Sequence, residues 1–204
     1  MRVLIIGGRT GLGKALYEEL SPQHEVLRTT RSWQKTQKQS IDKYIQLNLN
    51  NLMQVQNFVD DAPEVDVVIG VAHQWDKERE ESDYMMTGMN GAPIMEQNLW
   101  KLNERFTANV TAYMAIYREY VKRGTPIVHI SSIAANLDHK DNRVSASYRI
   151  YKLSQVEICR SLNEEAGGKI LVLDPGVWGL QDEIAKIKAK EIAKYTLKHS
   201  TKNL

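Results

Sequence analysis

Two residues with complementary acid–base chemistry, Tyr148 and Lys152, stand four positions apart in the chain. Residues 145–165 around them are predicted to form a helix, because apolar residues recur at helical intervals and two glycines end the pattern. The apolar residues are Ile150, Leu153, Val156 and Leu162. Helical residues four apart share a face, and a nearby cation favours the ionised form of a phenol. The pair could therefore exchange a proton with a ligand, although this spacing also arises by chance.

The first residues form a pattern typical of a phosphate-binding turn. A short apolar run at 3–6 predicts a strand buried on both faces, and apolar residues spaced along 12–20 predict a helix after it. Between them lies Gly7-Gly8-Arg9-Thr10-Gly11-Leu12-Gly13. Glycines let the backbone approach a pyrophosphate, and a helix N-terminus offers free N–H groups. The spacing differs from the commoner G-x-G-x-x-G, so the evidence for nucleotide binding is weaker than that motif would give. The alternative is a turn without a ligand.

The charges after the predicted second strand, residues 25–29, bear on which nucleotide is bound. An acidic residue there would accept a hydrogen bond from a free ribose 2′-hydroxyl, whereas an arginine suits a 2′-phosphate. No acid occurs between Val26 and Lys38, but Arg28 and Arg31 do, and Arg9 lies in the glycine turn. The sequence therefore predicts NADP(H) in preference to NAD(H). The alternative is a solvated basic loop.

The rest of the chain alternates between the two kinds of element. Strands are also predicted at 43–47, 66–71, 127–130 and 169–173, and helices at 52–59, 99–123 and 181–200. This alternation predicts an α/β fold, a Rossmann-type doubly wound parallel sheet of about six strands, in a single domain over residues 1–204. Segment 73–98, with an acidic patch and four methionines, is either a substrate lid or a structural insertion.

Three polar residues occupy informative places in these elements. Ser131 and Ser132 follow the fifth strand, and ligands of open parallel sheets bind beyond the carboxyl ends of the strands. Asn109 lies in the middle of helix 99–123, where an amide is unusual unless it faces a polar group. His129 lies within the fifth strand and is expected to be a hydrogen-bonded core imidazole rather than a catalytic one.

Composition limits the possible partners and location. The chain has 204 residues, a net charge of +2 and one cysteine, Cys159. The small charge gives no case for nucleic acid as a partner, and no apolar run approaches the length of a membrane span. A lone cysteine fits a reducing compartment, so we expect a cytoplasmic protein in which Cys159 packs as an apolar residue. No metal site is predicted, and the C-terminal lysines are expected to form a solvated helix face.

The glycine turn, Asn109, Ser132 and the Tyr148-x-x-x-Lys152 pair occur in an order that resembles the short-chain dehydrogenase/reductase family, over about residues 1–180. The resemblance implies a catalytic set of Asn109, Ser132, Tyr148 and Lys152. Ser132 is preferred to Ser131, and Tyr151 is rejected because Gln155 stands four residues after it. The implied cofactor-binding residues are Gly7, Arg9, Thr10, Gly11, Leu12, Gly13, Arg31, Ser32, Asn48, Leu49, Val71, Ala72, Tyr148, Lys152, Pro175, Gly176 and Val177.

The resemblance implies reduction of a small ketone or aldehyde by NADPH. Tyr148 would donate the proton, Lys152 would hold the tyrosine pKa down and bind the nicotinamide ribose, and Ser132 would bind the carbonyl. Asn109 would position a water that links Lys152 to solvent. The helices that carry Asn109 and Tyr148 have further apolar residues once one face of each meets the sheet, namely Met114, Tyr117 and Ile158. These residues predict a homodimer through the two helices.

Several positions depart from the family pattern. Ile6 stands where threonine is frequent, Asn48 replaces an acid, and Gly70-Val71-Ala72-His73 replaces an Asn-Asn-Ala-Gly run. The sheet is expected to be truncated at its C-terminal end. These departures favour a first alternative, a non-catalytic NADP(H)-binding sensor. A second, a nucleotide-sugar epimerase, would need a larger substrate domain than the stretch after Gly176.

Overall fold

Six short strands form one parallel sheet in the computed structural model, which describes residues 1–31, 44–72, 99–136, 146–175 and 182–201. The strands are β1 (Arg2–Ile6), β2 (Glu25–Thr30), β3 (Tyr44–Gln46), β4 (Val67–Gly70), β5 (Ile127–Ile130) and β6 (Ile170–Leu173). They lie in the order β3-β2-β1-β4-β5-β6, and every adjacent pair is parallel. From β1 the chain adds β2 and β3 on one side and then β4, β5 and β6 on the other. The order of strands thus reverses between β1 and β4, and such folds bind ligands at this switch point. The predicted fold class is confirmed.

Helices cover both faces of the sheet. They are α1 (Gly11–Leu20), α2 (Leu52–Asp60), α3 (Leu99–Phe106), α4 (Ala112–Lys122), α5 (Ala146–Ala166) and α6 (Asp182–Thr201). Helices α1 and α6 pack together on one face, and α2, α4 and α5 contribute to the core on the other. No helix within these described ranges is long and apolar enough to cross a membrane.

The continuous apolar run of β1 reflects this two-sided cover. Leu4 and Ile6 belong to the core shared with α2, α4 and α5, whereas Val3 and Ile5 belong to the core shared with α1 and α6. Successive side chains of a strand point to opposite faces, so a strand between two helical layers needs apolar residues at every position. Burial of β1 in this way fixes the glycine turn that follows it.

The predicted helix 99–123 is not uniform. A π-helical turn, Thr107–Thr111, separates α3 from α4 and carries Asn109 at its centre. Single π-helical turns inside α-helices are frequent at functional sites. The spacing of apolar residues in the sequence did not reveal this turn.

The predicted helix 145–165 is confirmed as α5, but the apolar residues that indicated it do not form its most buried face. The side chains buried along α5 are Ser147, Tyr151, Lys152, Gln155 and Cys159, whereas Ile150 is 41% exposed. Two of these polar side chains find backbone carbonyls as partners, Lys152 at Ile130 O and Gln155 at Asn109 O. Hydrogen-bond partners inside the fold thus outweighed hydrophobic periodicity in orienting the helix.

The homodimer prediction needs one correction. Tyr117 is fully buried and bonds His129, so it belongs to the core and not to an outer face. Met114 is exposed and Ile158 is half-buried, as that prediction requires. Residues 32–43, 73–98, 137–145, 176–181 and 202–204 lie outside the described residues, and with them the expectations for Ser32, Gly176, Val177 and segment 73–98.

Candidate active site

The turn after β1 is tightly packed at Gly7 and Gly13, where a larger residue does not fit. Gly7 has φ of +94°, and a Cβ atom there would lie 2.6 Å from the Cβ of Ala72. A Cβ atom at Gly13 would overlap the carbonyl oxygen of Gly7. The Gly7 amide donates to Thr29 Oγ1 at 2.9 Å, which ties the turn to β2. A turn stripped of side chains beside a helix N-terminus fits the diphosphate of a dinucleotide.

Helix α1 begins at Gly11, and its buried residues include Leu12, Ala15, Leu16 and Leu20. The exposed Thr10 precedes the helix in extended conformation, without a side-chain cap. The predicted apolar face of α1 is confirmed, and it anchors the helix with its N-terminus toward the turn. Among the residues predicted here, Leu12 and Gly13 are buried, while Thr10 and Gly11 face solvent.

The three basic residues near the turn have different surroundings. Arg28 is 7% exposed, with its guanidinium carbon 3.4 Å from the Tyr17 ring centroid and 4.0 Å from the Tyr44 ring centroid. Stacking on both faces uses this cation within the fold. Arg31 is exposed at the end of β2, and Arg9 is half-buried in the turn. Arg31 and Arg9 are therefore better placed than Arg28 to meet an anion.

The other predicted cofactor-binding residues lie along the carboxyl edge of the sheet. The Val71 and Ala72 amides both donate to Ile6 O, at 3.0 and 2.9 Å. Asn48 Oδ1 accepts from the Asn50 amide at 3.2 Å, so this side chain closes a local turn. Leu49 packs against the core. Pro175 is buried two residues beyond β6.

Lys152 is the most unusual group of the site. Its side chain is 4% exposed, and Nζ donates to the carbonyl oxygen of Ile130 at 3.2 Å, at the end of β5. Burial lowers the pKa of Lys152 to about 8, because the charged form loses hydration inside the protein. A buried lysine with a lowered pKa in this setting marks a functional-site candidate.

Tyr148 and Ser132 are both more exposed than Lys152. Tyr148 is half-buried one helical turn before Lys152 on α5, as their spacing predicts. Ser132 is half-buried just after β5, and its Oγ accepts from the Ala134 amide at 3.2 Å. Ser131 is buried instead. The exposure of the two serines is consistent with the preference for Ser132.

Tyr151 has a different environment from Tyr148. It is buried, its hydroxyl donates to Leu102 O at 3.4 Å, and its ring packs edge-on against Phe106. Burial raises the pKa of Tyr151, which opposes ionisation of its phenol. The structure thus gives Tyr151 the role of a packing residue between α5 and α3.

Asn109 is fully buried in the π-helical turn, and its backbone carbonyl accepts from Gln155 Nε2 at 2.6 Å. In the sequence, Gln155 served only to reject Tyr151, and its contact with Asn109 was not predicted. A signal was present, since Gln155 lies three residues after Lys152 and must share its helical face.

Comparison with solved structures reveals many matches at low identity. A carbonyl reductase from Pseudomonas aeruginosa PAO1 is 17% identical, with a TM-score of 0.74, covering 98% of this chain and 91% of that one. A short-chain dehydrogenase/reductase family oxidoreductase from Brucella ovis, in complex with a partially ordered NAD, is 15% identical with a TM-score of 0.71, covering 98% and 92%. BdcA in complex with NADPH is 17% identical with a TM-score of 0.70, covering 96% and 86%.

These likenesses confirm the fold of the short-chain dehydrogenase/reductases that the order of motifs predicted. No curated protein sequence matches the chain. A family model does match, over residues 3–178, from β1 to beyond β6, and it spans the glycine turn, Asn109, Ser132, Tyr148 and Lys152. The chain belongs to the NAD dependent epimerase/dehydratase family.

Proposed function

We propose that the protein is a nicotinamide-dependent oxidoreductase that reduces a small ketone or aldehyde, with Tyr148 as the proton donor. The observation that carries this proposal is the buried Lys152, one helical turn from Tyr148 and bonded to the end of β5. Desolvating a lysine is unfavourable, and packing alone would be served better by an apolar residue. Its place beside a phenol at the ligand-binding edge of the sheet supports an acid–base role.

The residues divide the work of such a reaction between them. When bound, the nicotinamide supplies the hydride, and the protein supplies orientation and electrostatics. Tyr148 would deliver its proton to the substrate oxygen, and the Lys152 ammonium would stabilise the phenolate that remains. Ser132 would hydrogen-bond the same oxygen as negative charge develops on it. Asn109 would support Lys152 from the π-helical turn.

Gly7 and Gly13 would leave room for the diphosphate of the cofactor, and the α1 N-terminus would face it. We propose that NADP(H) is preferred to NAD(H), with Arg31 and Arg9 pairing with the 2′-phosphate by charge-assisted hydrogen bonds. The absence of an acid between Val26 and Lys38 supports this preference.

The direct test is consumption of NADPH in the presence of a panel of small ketones and aldehydes. Replacement Lys152→Met keeps the length of the buried chain and removes its charge. We expect loss of turnover by at least about a hundredfold, together with weaker cofactor binding. Lys190→Met is the matched control, because Lys190 is exposed on α6. Equal turnover in wild type and Lys152→Met would overturn the proposal.

The family match favours a second candidate, a redox-neutral epimerisation or dehydration in which the nicotinamide is regenerated within each cycle. The same Tyr148 and Lys152 would then abstract a proton from a hydroxyl group. Net consumption of NADPH with a carbonyl compound distinguishes reduction from this activity. Nucleotide binding without any turnover would instead favour a sensor.

We also propose a homodimer in which α5 and α4 meet their copies. Ile150 and Met114 are exposed apolar residues on these helices, and Ile158 is half-buried. Exposed apolar residues on neighbouring helices suit a two-fold interface. Light scattering at micromolar concentration should give twice the mass of the chain, and a monomer mass would contradict the proposal.

A further inference from the structure

A buried polar network lies behind Lys152. It contains Tyr117 from α4, His129 from β5, Gln155 from α5 and the backbone carbonyl of Asn109 in the π-helical turn, and we call it the His129 network. All four residues are at most 1% exposed. This network joins β5, α5 and the π-helical turn, which carry the predicted catalytic residues or end next to them. The proposed mechanism does not use the side chains of Tyr117, His129 and Gln155.

Two contacts of the His129 network are well formed. The Tyr117 hydroxyl lies 2.8 Å from His129 Nδ1, and Gln155 Nε2 donates to Asn109 O at 2.6 Å. Among the described residues, His129 Nε2 and Gln155 Oε1 have no partner of good geometry. The two side chains are nevertheless close enough for a Gln155 hydrogen bond to raise the pKa of His129, against a stronger lowering by burial and by Lys152.

One set of hydrogen-bond directions gives both of these unpartnered atoms a partner. The Gln155 amide nitrogen faces Asn109, so its oxygen remains to accept from His129. In that set Nε2 of His129 carries the hydrogen, and Nδ1, 2.8 Å from the Tyr117 hydroxyl, would accept from it. This arrangement requires a neutral imidazole with one defined tautomer. A protonated imidazole would place a second cation beside Lys152, whose charge already lowers the pKa of His129.

Lys152 is connected to the same network through the backbone. It bonds the carbonyl oxygen of Ile130, the residue after His129, and it lies three residues before Gln155 on α5. Displacement of Gln155 would therefore change the position of Lys152 and remove the hydrogen bond to the carbonyl of Asn109. Among the described residues, Tyr113 packs edge-on against the imidazole and bonds Ala72 O, and Cys159 interacts electrostatically with Tyr113 and Lys152. Burial raises the pKa of both Tyr113 and Cys159.

We propose that Gln155 is a positioning residue that locks His129 as the neutral Nε2–H tautomer and holds the Asn109 carbonyl, so that Lys152 stays the single cation behind Tyr148. Its effect on catalysis rests on the function proposed above, but its effect on His129 does not. The side-chain amide is required because it both donates to Asn109 and accepts from His129, which no apolar residue of the same size can do.

The test combines nitrogen NMR of the imidazole with kinetics. In wild-type protein, long-range ¹H–¹⁵N correlations should show His129 with a protonated Nε2 and an unprotonated Nδ1 at neutral pH. Gln155→Met keeps the chain length and removes both hydrogen bonds. We expect a mixture of tautomers, a kcat lower by about tenfold and a cofactor affinity changed by less than about threefold, as for loss of buried hydrogen bonds.

Ser154→Ala is the matched control, since Ser154 is the half-buried neighbour on α5, and it should leave tautomer and kcat unchanged. A protonated Nδ1 in wild-type protein would overturn the proposal even if Gln155→Met did not fold. A folded Gln155→Met protein with wild-type kcat and one tautomer would also overturn it. If wild-type protein reduced no carbonyl compound, the proposed function would fail, while the tautomer would still test the lock.

Discussion

Helices α1 and α5 both pack against the sheet beside the proposed site, but they bury opposite kinds of residue. The buried face of α1 is apolar apart from Gly13, whereas that of α5 contains Ser147, Lys152 and Gln155. Helix α1 has only to present its N-terminus to a phosphate, so its side chains are available for packing. The chemistry proposed for helix α5 acts through side chains, which must therefore point inward. Hydrophobic periodicity therefore predicted the buried face of α1 but not that of α5.

The largest expected effect follows from removing one oxygen atom from α5. Tyr148→Phe keeps the ring, so folding and NADPH affinity should change little. Loss of a positioned proton donor should lower kcat by at least about a hundredfold. The measurement is NADPH consumption with a carbonyl substrate found by screening.

Tyr151→Phe is the matched control for that variant, because Tyr151 offers the same phenol on the same helix but bonds the Leu102 carbonyl. Its kcat should stay near the wild-type value. Wild-type turnover by Tyr148→Phe would mean that the proton comes from elsewhere, and a sensor would become the better account of the chain.

A second pair of variants tests the two apolar stripes. Leu16→Ala on α1 removes a fully buried side chain and should lower the free energy of unfolding by about 2–5 kcal/mol. Ile150→Ala on α5 removes a side chain that is 41% exposed, and should change it by less than about 1 kcal/mol. Denaturant unfolding measures both. Equal losses of unfolding free energy would show that the Ile150 side chain is buried in solution, for instance in a dimer.

The third prediction concerns the charge that α5 buries. Because burial lowers the pKa of Lys152 to about 8, this ammonium loses its proton as pH rises through that value instead of near 10.5. The kcat/KM for carbonyl reduction should therefore be constant below about pH 8 and fall about tenfold per pH unit above it. A profile that stays flat to pH 10 would contradict the role of Lys152.

The smallest expected effect lies at the α1 end of the site. Arg31→Ala should weaken NADPH binding about tenfold and leave NADH binding nearly unchanged, since charged hydrogen bonds to the 2′-phosphate would be lost. Fluorescence titration of both cofactors measures the ratio. Arg28→Lys gives the contrast, because Arg28 is stacked between two tyrosine rings and should affect folding more than discrimination. Equal affinities for the two cofactors in wild-type protein would remove the basis of the preference.

The sequence by itself determined the features that depend on neighbours along the chain. The apolar run of β1, the glycine turn and the stripe of α1 are local patterns, and all three predicted the structure found. The spacing of Tyr148 and Lys152 likewise placed them one turn apart, because a helix fixes which residues share a face. The alternation of elements was enough for the six-stranded parallel sheet, and only strand ends shifted by a residue or two.

Tertiary structure decided the features that join distant parts of the chain. Gln155 and Asn109 are 46 residues apart, and only packing of α5 against the π-helical turn brings the amide to the carbonyl. The rings that enclose Arg28 come from α1 and β3. The sequence around Arg28 therefore could not show that this arginine is stacked inside the fold and is less available to an anion than Arg9 or Arg31. Burial of the polar face of α5 has the same cause. Burial of a polar side chain costs less free energy when another element supplies its hydrogen-bond partner. Which element does so is determined only when the sheet is assembled.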